Sequence, residues 1–128
     1  MAEAAALNTF FYNTYAILKR MRFQLQFFNP KVQATIDAWP SGISASFVRI
    51  AEQMVVSGPN LGMPYTRPFG DGLFEIRAKG AEGIGRAFFC CIVGRQIVIL
   101  HGFVKKTQAT PAKELKIARQ RLKEIKHD

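Results

Sequence analysis

A chain of 128 residues with a formal net charge of +9 has room for one hydrophobic core but not for two independent ones. Its 18 Lys and Arg against 9 Asp and Glu, with an isoelectric point near 10.0, direct it toward a polyanion or an acidic protein partner. The excess is uneven, because from Leu61 onward thirteen cations face six acids and hold +7 of the +9. The two cysteines, Cys90 and Cys91, are adjacent in an apolar run, and strand neighbours point to opposite faces. That excludes a disulfide framework and a zinc grid, and leaves small core thiols in a reducing cytoplasm as the expectation. No GxGxxG, GK[ST] or HExxH frame is present, so neither a cofactor nor a metal is expected.

In chain order, residues 1–20 form an N-terminal extension of uncertain role, Ala-rich and then aromatic. Asn8, Thr9, Asn13 and Thr14 make it too polar for a transmembrane helix. Lys19 and Arg20 follow its apolar stretch rather than precede it, against a secretory leader. An upstream start, a cloning remnant and a docking helix all remain open. The domain proper is expected over 21–128. Arg22 to Phe28 alternates as a strand, and Asn29-Pro30 is a helix start, a capping side chain followed by proline where a missing N–H costs nothing. Val32, Ile36 and Trp39 recur at helical spacing until Pro40. A second helix from about Ser44 has Ile43, Phe47, Ile50 and Met54 as its stripe and ends at Gly58-Pro59, so the two helices are expected as an antiparallel pair lying on a sheet.

Three strands follow at about 72–79, 85–93 and 96–103. Gly80-Ala-Glu-Gly83 and Gly94-Arg95 serve as hairpin turns, which makes the pairings antiparallel. On the first strand Leu73, Glu75, Arg77 and Lys79 point one way while Phe74, Ile76 and Ala78 point the other. Thr110-Pro111 opens a last helix with Leu115, Ala118, Leu122 and Ile125 on one stripe and Lys and Arg on its other faces. The predicted fold class is α+β, a single domain with an antiparallel sheet, two N-terminal helices and one C-terminal helix.

The charged strand face is the candidate working surface. Arg77 and Lys79 share it, Arg86 begins the next strand across the hairpin, and Arg67 with Lys105 and Lys106 closes it from either end. Arginine grips a phosphate through two parallel hydrogen bonds and lysine acts as a compact charge. A solvated face would also carry cations, but would intersperse more acids than Glu75 and Glu82. His101 is the one histidine outside the chain terminus; it is open to two readings, an acid–base group or an imidazole at the core edge bonded to a backbone carbonyl.

Three segments carry a resemblance: Leu61-Gly-Met-Pro-Tyr65, Arg67-Pro-Phe-Gly-Asp-Gly-Leu-Phe-Glu-Ile-Arg77 and Leu100-His-Gly-Phe-Val-Lys-Lys-Thr107. They are similar to the RelE/HigB toxins of bacterial and phage toxin–antitoxin modules, in the phage-derived branch. The resemblance implies a RelE-like domain, a toxin that cleaves mRNA on translating ribosomes in the cytoplasm, and a cognate antitoxin as its partner. Metal-free cleavage needs a base for the attacking 2′-hydroxyl, an acid for the departing 5′-oxygen and cations for the phosphorane. Under this resemblance Arg77, Arg86, Lys79 and His101 form the catalytic set. Arg67, Tyr65, Phe88, Lys105 and Lys106 contact RNA. Related sequences often carry tyrosine near Phe88-Phe89; phenylalanine stacks on a base but moves no proton, so Tyr65 is the nearest motif tyrosine. Two alternatives stand beside this reading, a ParE-like toxin that inhibits DNA gyrase and a basic nucleic-acid-binding module without toxicity.

Overall fold

The structure is a computed structural model describing residues 22–105 and 110–126. The elements run β1 (Gln24–Phe27), α1 (Pro30–Asp37), α2 (Ser41–Ser57), β2 (Thr66–Gly70), β3 (Leu73–Gly80), β4 (Gly83–Ile92), β5 (Gln96–Lys105) and α3 (Ala112–Lys126). They build a five-stranded sheet in the order β1-β5-β4-β3-β2. The expected α+β class, the two early helices and the C-terminal helix are all present. The sheet is mixed rather than wholly antiparallel: β2 to β5 form an antiparallel meander, and β1 joins it parallel to β5, with Leu25 opposite Ile97. β2 carries Pro68 and spans five residues, and its alternation is too short to separate from a loop by pattern alone.

The helix ends follow their local chemistry. Asn29 accepts from Val32 N–H at 2.9 Å with Pro30 in the first turn, and Gly58 N–H reaches Met54 O at 2.8 Å to close α2. The N-terminus of α2 follows Pro40 and lacks a side-chain cap of its own. Glu82, at the tip of the β3–β4 hairpin, supplies it by accepting from Gly42 N–H at 2.9 Å. That bond holds the Glu82 carboxyl below the usual carboxylate range. At the start of α3 the Thr110 hydroxyl makes no hydrogen bond among the described residues, so it does not cap this helix.

The two faces of the sheet bury different sets. Val32, Ile36, Trp39, Ile43, Phe47, Ile50 and Met54 from α1 and α2 pack on Ile76, Ala78, Ala87, Phe89, Ile97 and Ile99. Close approach there depends on two glycines: a Cβ at Gly85 would lie 2.6 Å from Ile43 and 2.7 Å from Trp39, and one at Gly102 would lie 2.8 Å from Ile36. On the other face Ala118 and Leu122 of α3 cover Leu73, Phe88, Cys90, Val98 and Leu100. Burial raises the Cys90 thiol to about 11, whereas Cys91 is exposed rather than a core thiol. No described helix is long and apolar enough to cross a membrane.

Candidate active site

α3 covers only half of its sheet face, and the other half carries the charge. Residues directly opposite in antiparallel strands project to the same side, so the pairing register lays this half out in three rows. Arg67, Glu75, Phe88 and His101 form the first, Arg77, Arg86 and Phe103 the second, and Lys79, Ile84 and Lys105 the third.

At the centre sits one buried carboxylate. Glu75 is fully buried, and its Oε1 lies 3.1 Å from Arg67 Nε, 3.1 Å from Arg86 Nη1 and 3.9 Å from Arg77 Nε. Lys105 is 6% exposed and its Nζ has no hydrogen-bond partner among the described residues. The ammonium is pushed below the usual lysine range by burial and then by Arg86 and Arg67, with Glu75 opposing. The Arg77 guanidinium is also pulled down, first by burial and then by Arg86 and Arg67. One carboxylate thus faces four cations, and among the described residues Glu75 Oε2, Arg77 Nε and Lys105 Nζ find no hydrogen-bond partner. Buried polar groups are ordinarily satisfied. A second anion seated over the cluster would satisfy the cationic ones, and a phosphodiester has the charge and the acceptor oxygens to do so.

The expected site residues fall into distinct settings. Arg67, Arg77, Arg86 and Lys105 converge on Glu75, a residue the sequence marked only as an acid among cations. Arg86 is fully buried, not solvent-facing as its place on a charged strand implied, because Glu75 beside it and the neighbouring strands enclose its guanidinium. Phe88 is likewise fully buried, edge-on to Phe69 at 5.2 Å and near Phe103 at 6.0 Å, so its ring forms the floor of the face and is not open for a base to stack on. Lys79 is exposed beside Arg77, and Tyr65 is half exposed in the loop before β2, its carbonyl accepting from Arg77 N–H at 2.7 Å. Lys106 lies outside the described residues.

His101 faces the opposite way from the one alternation implied. Counting by twos puts it with Ile97 and Ile99, but the β4–β5 register shifts between Phe88 and Phe89, pairing Phe88 with His101 and Phe89 with Ile99. The extra residue, Leu100, reverses the alternation and turns His101 toward α3. There its Nε2 meets the Glu114 carboxylate, and Arg121 Nη1 stands 3.5 Å from Nδ1 while donating to Leu100 O at 2.6 Å. With Arg121 donating to Nδ1, the imidazole carries its proton on Nε2 toward Glu114, so both ring nitrogens are engaged. The partner is a helix side chain rather than the backbone carbonyl expected. Other α3 cations also turn inward: Arg119 Nη2 donates to Phe69 O at 2.8 Å and Lys126 Nζ to Asp71 O at 3.2 Å.

A family model described as Phage derived protein Gp49-like (DUF891) matches residues 34–123, well over half of the chain. Among solved structures, the chain is similar to one in the archaeal RelE–RelB complex from Pyrococcus horikoshii OT3, with a TM-score of 0.51 and 14% identity over 69% of this chain and 100% of that one. At that identity the likeness concerns the fold. No curated protein sequence matches. The family span takes in the second half of α1, all of α2, the whole cationic half-face and most of α3, and the chain belongs to the phage-derived Gp49-like family with a RelE-type fold.

Proposed function

We propose that the chain is the toxin of a toxin–antitoxin module and that it cuts mRNA on translating ribosomes. The observation that carries this reading is the surplus of buried positive charge around Glu75, which suits a group whose negative charge grows during reaction. Family membership and the RelE-type fold support it.

In the proposed step the 2′-oxygen attacks the adjacent phosphorus, the P–O5′ bond breaks, and the products are a 2′,3′-cyclic phosphate and a 5′-hydroxyl. The proton leaves the 2′-hydroxyl to a base, and another is delivered to O5′. Arg77, the partly exposed arginine, holds the equatorial oxygens, the buried Arg86 adds positive charge behind Glu75, and neither exchanges protons near neutrality. Lys105, buried beside Arg86 and Glu75, has its ammonium destabilised by that burial, and we assign it the proton transfer. His101, held at both nitrogens by α3, positions that helix.

The partner is an antitoxin whose segment lays acids over the cationic half-face. Expression should arrest growth, and primer extension should show cuts inside reading frames. Intact transcripts with accumulating gyrase–DNA breaks would instead establish the ParE-like activity, and untouched growth would leave a binding module. Co-expression of the adjacent gene should restore growth and yield a complex with a strongly salt-dependent on-rate.

A further inference from the structure

A trench runs from the cationic half-face around the sheet edge to α2. Pairing of β2 with β3 ends at Thr66 opposite Ile76 with one further bond from Arg77 N–H to Tyr65 O, and past that bond the β3 edge opens. Ser46, Arg49, Pro64, Tyr65, Arg77, Lys79 and Ile84 line one groove there, of about 430 Å³. A second groove shares Ser46, Arg49 and Tyr65 with it and continues to Gln53, Ile50 and Leu61. The lining holds three cations and no carboxylate. Among the described residues neither Arg49 nor Lys79 has an ion-pair partner.

We propose that this trench is a nucleotide subsite that receives the RNA segment flanking the phosphate held at Glu75, with Tyr65 as the stacking platform and Arg49 as the phosphate contact. This rests on the reading of the chain as an RNA-cutting toxin. Arg77 lies both in the cluster and in the trench wall, so one backbone passes from one to the other without crossing an acid. The Tyr65 ring is 51% exposed in a chain whose other aromatics near the cluster are buried or half-buried. An exposed ring among cations is how single-stranded nucleic acid is gripped, base on ring and phosphate on guanidinium. Gln53 donates through Nε2 to Ser57, which leaves its Oε1 and second N–H for a base edge. The groove is of the size that takes one small ligand, roughly 300–1,000 Å³, rather than a helix. An acidic peptide would be drawn by the same cations but would have no use for the ring.

The test is fluorescence anisotropy of the purified full chain with a labelled single-stranded oligonucleotide of about ten residues, a length in the range such sites take. Its 2′-oxygens are methylated so that it cannot be cut. Tyr65→Ala should weaken binding roughly fivefold or more, and Tyr65→Phe should restore it, as loss and return of stacking require. Arg49→Ala should lower the slope of log affinity against log salt by roughly 0.7, the value for one phosphate contact on a single strand, and Arg49→Lys should keep it. A changed slope is not something a structural role would produce. Wild-type affinity and slope in both alanine variants would overturn the subsite while in-frame cleavage could still stand. So would an acidic peptide that binds the wild type and is lost with Tyr65→Ala. Failure of the wild type to bind any oligonucleotide would also overturn it, and the nuclease reading would still be decided separately by primer extension.

Discussion

Two ionised clusters share one face of the sheet and are built on opposite terms. At His101 every group has its partner: the imidazole lies between Glu114 and Arg121, and Arg121 also donates to Leu100 O. At Glu75 the charges of the described residues do not balance, since one carboxylate meets four cations and Lys105 Nζ, Arg77 Nε and Glu75 Oε2 are left without hydrogen bonds among them. A satisfied network rigidifies, and here it ties α3 to β5. An unsatisfied one costs stability and is kept where a ligand completes it. Under the proposed function, chemistry belongs to the cluster at Glu75 and architecture to His101, although a histidine is the more familiar proton carrier.

The largest effect should come from Glu75→Ala. Removing the buried carboxylate that a fully buried arginine binds at 3.1 Å leaves that charge poorly compensated, a loss of about 3–5 kcal/mol, readable in denaturant unfolding. The burial of Arg86 carries the same lesson, so Arg86→Ala should destabilise the fold instead of simply releasing a surface phosphate contact. Lys105→Met sharpens the contrast because it removes a buried ammonium that has no hydrogen-bond partner among the described residues. The melting midpoint should rise while ribosome-dependent cleavage falls on the order of a hundredfold or more, as loss of a proton-transfer group requires. A lowered midpoint with intact cleavage would place Lys105 in the satisfied class with His101.

His101→Gln should do the reverse. Cleavage should stay within a few-fold of wild type while stability drops by about 1 kcal/mol, the worth of a partly exposed hydrogen bond. A hundredfold loss of cleavage at unchanged stability would return the acid–base role to the imidazole. The smallest effect concerns Glu82, whose carboxyl titrates lower in the folded chain than in the unfolded one. A depressed carboxylate pKa gives stability that is present above about pH 4.3, the unfolded value, and lost as pH falls through the folded value. Glu82→Gln should therefore flatten the acid limb of the melting profile and leave neutral-pH cleavage unchanged.

Much of the frame was legible in the sequence, because local chemistry decides it. Asn29-Pro30, Gly58-Pro59 and the two hairpin turns mark element ends, and the alternation from Leu73 to Lys79 assigns each β3 side chain to its face. What escaped depends on pairing between distant segments. The register shift at Phe88/Phe89 reverses the facing of His101. The parallel seat of β1 is set by tertiary placement rather than by its own pattern. Burial of Arg86 and Phe88 follows from what the adjacent strands and α3 lay beside them, and periodicity does not report that. The place of Arg49 in the groove lining was likewise hidden, since it lies on a helix whose pattern speaks only for its buried stripe.

The most direct measurement is cleavage by purified Arg77→Ala on programmed ribosomes, followed by primer extension beside the wild type and paired with a melting curve of the same sample. Arg77 touches the unbalanced cluster, is only partly buried and is not the primary partner of Glu75. The account predicts in-frame cuts by the wild type, and a loss on the order of a hundredfold for the variant at an unchanged midpoint, as removal of one transition-state contact gives. Equal cutting by both proteins, or a transcript left whole by the wild type, would contradict it.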